Sequence, residues 1–188
     1  MQYTEVLAAT LTILFVNNCV TGKQLRNGQN ATKLLSMAGG PKFMLTHKTK
    51  GGNFLGYTAS SKCLSLELVG GTEEYAAFLD YIIDEEWFTD LITATTNRSK
   101  INFTSVDADN GTRFVPTTPV YTLVHTDYST CFVVISRPRR RKECFLWLRT
   151  ETTGQQRHVS TTCNSTFQLK CPGEKEYFPA KNCQNVEQ

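Results

Sequence analysis

The stretch Lys62-Cys-Leu-Ser-Leu-Glu-Leu-Val69 sets Leu64, Leu66 and Leu68 against Ser65 and Glu67. Side chains of an extended strand point alternately to its two faces, so this spacing predicts a strand with one face on an apolar interior and the other in water. Working outward, seven more runs of β-branched and aromatic residues separated by turn formers read as strands: Phe43 to Lys48, Glu74 to Ile83, Trp87 to Thr95, Ile101 to Val106, Val120 to His125, Thr130 to Ser136 and Glu143 to Thr150. No long helical crossover separates them. Eight strands joined by successive hairpins predict an all-β, antiparallel sheet that closes into a barrel, a size just wide enough to hold one small molecule.

The segments flanking the strands follow another period. Asn30 can cap a short helix through Ala31 to Met37, which Gly39, Gly40 and Pro41 terminate. Near the other end Cys163, Phe167 and Cys171 recur every four residues and so share one face of a helix that Pro172 and Gly173 end. That face predicts a helix lying on the barrel wall. In the final stretch Tyr177, Phe178 and Cys183 are available to pin the chain down.

The first 22 residues contain an apolar run, Val6 to Val16, followed by the small residues Val20, Thr21 and Gly22, and read as a signal peptide cut after Gly22. The run is shorter than the roughly 20 residues of a membrane span, and no other approaches that length. Residues 23–188 then form one domain. Removing the leader takes away Cys19 and leaves Cys63, Cys131, Cys144, Cys163, Cys171 and Cys183, an even number suited to three disulfides in an oxidising compartment. Sequons at Asn30, Asn97, Asn102, Asn110 and Asn164 point the same way, to a secreted glycoprotein. Loss of Glu5 moves the net charge from +3 to +4, with 20 bases against 16 acids, too small an excess to imply a nucleic-acid partner.

Catalytic constellations are not found. His47, His125 and His158 are scattered and lack metal-ligand spacing, so no metal site is expected. Asp84, Glu85 and Glu86 lie between two strands and read as a turn rather than an acid–base pair. With all mature cysteines oxidised there is no free thiol nucleophile, and no phosphate-binding glycine loop or serine elbow occurs. Neither a catalytic residue nor a cofactor is therefore expected. The run Arg137, Pro138, Arg139, Arg140, Arg141, Lys142 reads as a hairpin tip: a solvated loop, a binding surface for heparan-like polyanions or a site nicked by a proprotein convertase.

From Asp127 onward the sequence resembles the tick salivary lipocalins, the family that includes the histamine-binding proteins. Asp127, Tyr128 and Cys131 stand as that family's Asp-Tyr-x-x-Cys, and Leu146 and Trp147 as its Leu-Trp on the following strand. Cys163 follows at the family's distance. Upstream, Cys63 after Gly56 and Tyr57 resembles its first barrel cysteine, and the spacing of Cys163, Cys171 and Cys183 also fits. The resemblance spans roughly Lys33 to Cys183. It implies a lipocalin barrel and a monomeric, non-enzymatic protein that sequesters a small host mediator to blunt host defence. It also implies the disulfides Cys63–Cys183 and Cys131–Cys163, leaving Cys144 with Cys171 out of the 15 arrangements six cysteines allow.

This sequence departs from the family where amine binders carry acids. The carboxylate after the strand cysteine is Phe132 here, the one before Leu-Trp is Phe145, and a third, nine residues ahead of the first barrel cysteine, is Phe54. A buried ammonium needs close carboxylates, because an unpaired charge in a barrel costs several kcal/mol. The expected ligand site is therefore Phe54, Tyr57, Phe132, Phe145 and Trp147, and the expected ligand a lipid mediator such as a leukotriene or fatty acid in preference to histamine. The competing expectation is a surface-acting inhibitor of a host protein, in the complement, protease or platelet pathway, with no barrel ligand.

Overall fold

The computed structural model describes residues 29–57, 61–105, 119–138, 141–150, 161–177 and 183. The signal-peptide reading over residues 1–22, the sequon Asn110, and Val106, Arg139, Arg140, His158 and Phe178 lie outside the described residues.

All eight expected strands form: β1 (Lys42–Thr49), β2 (Lys62–Gly71), β3 (Tyr75–Ile83), β4 (Glu86–Asn97), β5 (Lys100–Ser105), β6 (Tyr121–Thr126), β7 (Cys131–Ser136) and β8 (Glu143–Arg149). Each pairs antiparallel with its successor, and β1 pairs with both β2 and β8, which closes the barrel. The chain is an eight-stranded antiparallel barrel with one added strand, β9 (Lys175–Tyr177), which pairs with His47 to Thr49 of β1 beyond the reach of β2. Between β3 and β4, Asp84 and Glu85 both adopt positive φ, as the two central residues of a tight hairpin turn must.

The first helix, α1 (Ala31–Leu35), is two residues shorter than the spacing predicts, because Ser36 already leaves helical geometry at the cap. Asn30 caps it by accepting from the Lys33 amide at 3.0 Å. Ala31 N–H donates to the Arg98 carbonyl in the β4–β5 turn, and the Tyr128 hydroxyl in the β6–β7 turn accepts from Asn30 N–H. This helix covers one end of the barrel. The β1–β2, β3–β4 and β7–β8 connections lie at the opposite end, termed the mouth by its position alone.

The second helix, α2 (Thr161–Lys170), lays Cys163 and Phe167 on the outer face of β7 and β8, against Val133, Ile135, Leu146 and Leu148. These two strands are consequently buried on both faces. One outward residue differs from the sequence reading: Ser65 is buried instead of wet. Its hydroxyl donates to Asp80, which also accepts from Thr89 and forms an ion pair with Lys42 at 2.7 Å, so a polar cluster covers that patch of wall. Three disulfides join Cys63 to Cys183, Cys131 to Cys163 and Cys144 to Cys171.

Candidate functional site

The interior is built from inward positions of every barrel strand together with Leu34 and Leu35 of α1, in one cluster that includes Phe54, Phe132, Phe145 and Trp147. Strand parity sets this. On β8, Phe145 and Trp147 face inward while Cys144, Leu146 and Leu148 face α2. On β7, Phe132 and Val134 alternate in the same way with Cys131, Val133 and Ile135. All five expected wall residues are thus brought together, although Tyr57 packs on the cluster only partly buried.

Phe54 reaches this interior from the β1–β2 connection rather than from a strand. Its ring touches those of Phe103, Tyr121, Phe145 and Trp147, with centroids 4.8 to 5.6 Å away. The connection is bent inward by bonds from the barrel. Asn53 N–H donates to Glu143, Leu55 N–H donates to the Tyr121 hydroxyl, and Lys48 donates to the Gly52 carbonyl at 3.1 Å. At Gly52 a Cβ would stand 2.9 Å from the Thr49 carbonyl oxygen, so only glycine lets the chain pass there. Burial pushes the Tyr121 phenol well above its ordinary pKa, with the nearby Glu143 charge adding to the rise against the opposing bond from Leu55, so the hydroxyl stays neutral.

Deeper in, Phe132 stacks on Trp147 at 5.8 Å and meets Phe43 edge-on at 4.9 Å. Trp147 is fully buried, and its indole N–H has no hydrogen-bond partner among the described residues. A buried donor left unmatched costs about 1–3 kcal/mol, and Trp87 Nε1, His125 Nε2 and Ser136 Oγ are unmatched in the same way. The three positions where the family resemblance places carboxylates hold buried rings, 0 to 2% exposed.

Nearer the mouth lies a group that the sequence reading missed. Asp90 shares the inward face of β4 with Ile92 and Ala94, and its carboxylate accepts from the hydroxyls of Tyr57 and Tyr81. Tyr81 packs against Tyr57 at 4.8 Å and stacks on Phe88 at 5.6 Å. Burial first, then the Asp90 charge and bond, raise the Tyr81 pKa and keep that phenol a donor. The available signal was parity: counting by twos back from Ile92 puts Asp90 and Phe88 on the inner face.

Other expected positions lie apart. His47 and His125 belong to different strands, and no cluster of His, Cys, Asp or Glu able to hold a metal occurs among the described residues. Asn30, Asn97 and Asn102 are exposed and Asn164 is half-buried. No described helix is long and apolar enough to cross a membrane.

A ring-lined antiparallel barrel with a helix across one end and a disulfide-bound helix on its wall can now be compared with known proteins. The family profile described as tick histamine-binding protein matches residues 20–185. The chain belongs to that family. Among solved structures, the AM182 serotonin complex is similar with a TM-score of 0.56 at 16% identity, over 79% of this chain and 88% of that one. Japanin from Rhipicephalus appendiculatus, bound to cholesterol, gives a TM-score of 0.54 at 14% identity, over 78% and 97%. H1 crustacyanin from the lobster Homarus americanus gives 0.54 at 12% identity, over 80% and 86%. At these identities the likeness is one of fold. No match was found among curated protein sequences.

Proposed function

We propose that this member of the tick histamine-binding protein family is secreted and captures one small, largely apolar host mediator inside its barrel. An oxygen-bearing lipid is preferred over histamine, and host defence is blunted by stoichiometric sequestration. The observation that carries the reading is Trp147: a fully buried indole N–H without a partner among the described residues, set among rings. An apolar body fits the ring walls, and a hydroxyl, carbonyl or carboxyl oxygen on it would satisfy that donor. Rings at 54, 132 and 145 argue against an ammonium among them, since Glu143, the buried carboxylate beside Tyr121, is already engaged by the Asn53 amide. Three disulfides support export.

One arrangement favours an amine as the second reading. Asp90 with Tyr57, Tyr81 and Phe88 offers a carboxylate among aromatic faces at the mouth, where a cation would be held by charge and by the rings. The serotonin and cholesterol bound to AM182 and Japanin belong to the two rival classes and do not choose between them. Calorimetry with histamine, serotonin, a leukotriene and a long-chain fatty acid makes the choice. The lipid is expected to bind tightest, and Trp147→Phe to weaken it. Tight histamine binding that no change at Phe54, Phe132 or Phe145 alters overturns the lipid assignment. A protein that binds none of the four and carries no ligand in native mass spectrometry overturns capture itself.

A further inference from the structure

The basic run between β7 and β8 is not used by the barrel, yet the structure gives it a partner segment. The disulfide Cys144–Cys171 ties the start of β8 to the residue after α2. Lys142 and Lys170 stand just before those two cysteines, so the cross-link brings together cations 28 residues apart, and Lys142 Nζ donates to the Lys170 carbonyl. Partial burial, followed by the charges of Arg137 and Lys170, pulls the Lys142 pKa below its ordinary value: like charges are crowded here. Arg141, on the same rim, donates to the Lys50 carbonyl at 2.7 Å.

Nearby acids are engaged elsewhere. Glu174 pairs with Lys50 at 2.6 Å, Glu176 with Lys48 at 2.9 Å, and Glu143 accepts from Asn53. None of the ion pairs among the described residues takes up Arg137, Arg141, Lys142 or Lys170. The cluster is thus a patch of uncompensated positive charge, held by a disulfide, on a chain whose net charge is only +3.

We propose that Arg137, Arg141, Lys142 and Lys170 form a binding surface for a sulfated polysaccharide of the glycosaminoglycan class. Repeating sulfates would each meet a guanidinium or ammonium and relieve the crowding, and Arg favours such oxyanions through paired donors. An anionic membrane fits less well. The outward residues of α2 around the patch are polar apart from Leu169, whereas an interfacial helix needs a continuous apolar face. Polysaccharide binding would hold a secreted capture protein in the tissue matrix beside its ligand's source.

The test is retention of the full, disulfide-intact protein on immobilised heparin under a salt gradient, with titration of heparan sulfate in solution. The wild type is expected to elute well above physiological salt, and Arg137→Gln with Lys170→Gln to weaken binding about tenfold. A matched pair, Arg98→Gln with Lys100→Gln, removes the same charge at the opposite end of the barrel and is expected to change little. Near-UV circular dichroism checks that both variants fold. Elution of the wild type near physiological salt, equal losses from the two pairs, or tighter binding to phosphatidylserine vesicles than to heparan sulfate overturns the proposal.

Discussion

At the scale of single residues, the indole of Trp147 separates ligand binding from packing. Phenylalanine keeps most of the ring volume and deletes the unpartnered N–H, so Trp147→Phe should leave the empty protein as stable as before or slightly more so. Affinity for an oxygen-bearing ligand should fall about tenfold, the loss of one hydrogen bond of roughly 1.4 kcal/mol in a dry site. Thermal melts with and without ligand separate the two effects, and equal losses in both would mark Trp147 as packing alone. Asp127 gives a second prediction. Partial burial works against its charge, but bonds from the Thr130 hydroxyl and from the amides of Thr130, Ser129 and Cys131 prevail and hold its pKa below 3.8. The unfolded chain therefore takes up this proton first as pH falls. The stability Asp127 contributes is complete above about pH 4 and disappears as pH drops through the lower folded value. Asp127→Asn should cost about 1–2 kcal/mol at neutral pH and flatten the acid limb of a denaturation profile. His47 acts in a higher window. Burial, then the charge of Lys175, lowers its pKa below 6.5, and its ring lies between Phe167 of α2 and Tyr177 of β9. Folding disfavours the protonated ring, so the unfolded chain binds that proton more readily. This contribution is whole above pH 6.5 and declines as pH falls from there towards the folded value. Melting temperature should thus drop between pH 7 and 5, and His47→Phe should remove that drop.

Between elements, the disulfides differ in what they restrain. Cys63–Cys183 closes 120 residues of chain and Cys144–Cys171 closes 27. In the chain-entropy picture the longer loop is worth roughly 1.3 kcal/mol more, so replacing both cysteines of the Cys63 pair by alanine should lower the urea midpoint further than the same change at the Cys144 pair. The reverse order would mean that anchoring α2 matters more than restricting the unfolded chain. The elements also show what sequence spacing could and could not reveal. Strands such as β2 were legible because Leu64, Leu66 and Leu68 repeat at the strand period. The short strand β9 was not, because Lys175, Glu176 and Tyr177 carry no apolar alternation. It forms through tertiary bonds, the Lys48–Glu176 ion pair and the Gly51 amide to Glu176. Phe54 could be singled out only by its distance from Cys63, since nothing local says that a loop ring enters the barrel. Asp90 was concealed in a run whose apolar character drew attention to its neighbours, and Ser65 was misread because its cover comes from Asp80 on the next strand.

For the whole molecule, a barrel covered by α1 at one end and entered by Phe54 at the other makes occupancy a matter of global stability. A ligand inside would touch several strands and the β1–β2 connection at once, whereas the unfolded chain would offer it nothing. Saturation at one hundred times Kd should therefore add about 2.7 kcal/mol to folding. For a domain of this size that is a rise of roughly 5–10 °C in Tm. The expected ordering at one fixed concentration is a large shift with a long-chain lipid, a small one with serotonin and less with histamine. Because the four rings around Phe54 lie against it, Phe54→Ala should lower the empty protein's stability by about 3–5 kcal/mol and also loosen the ligand. Differential scanning fluorimetry across the ligand panel, repeated on Asp90→Asn, assigns the shift to a place in the barrel. If the lipid shift survives that change, the ligand lies against the deep rings. If the shift belongs to the amines and vanishes with Asp90, the molecule is a mouth-binding amine trap and the deep barrel is core.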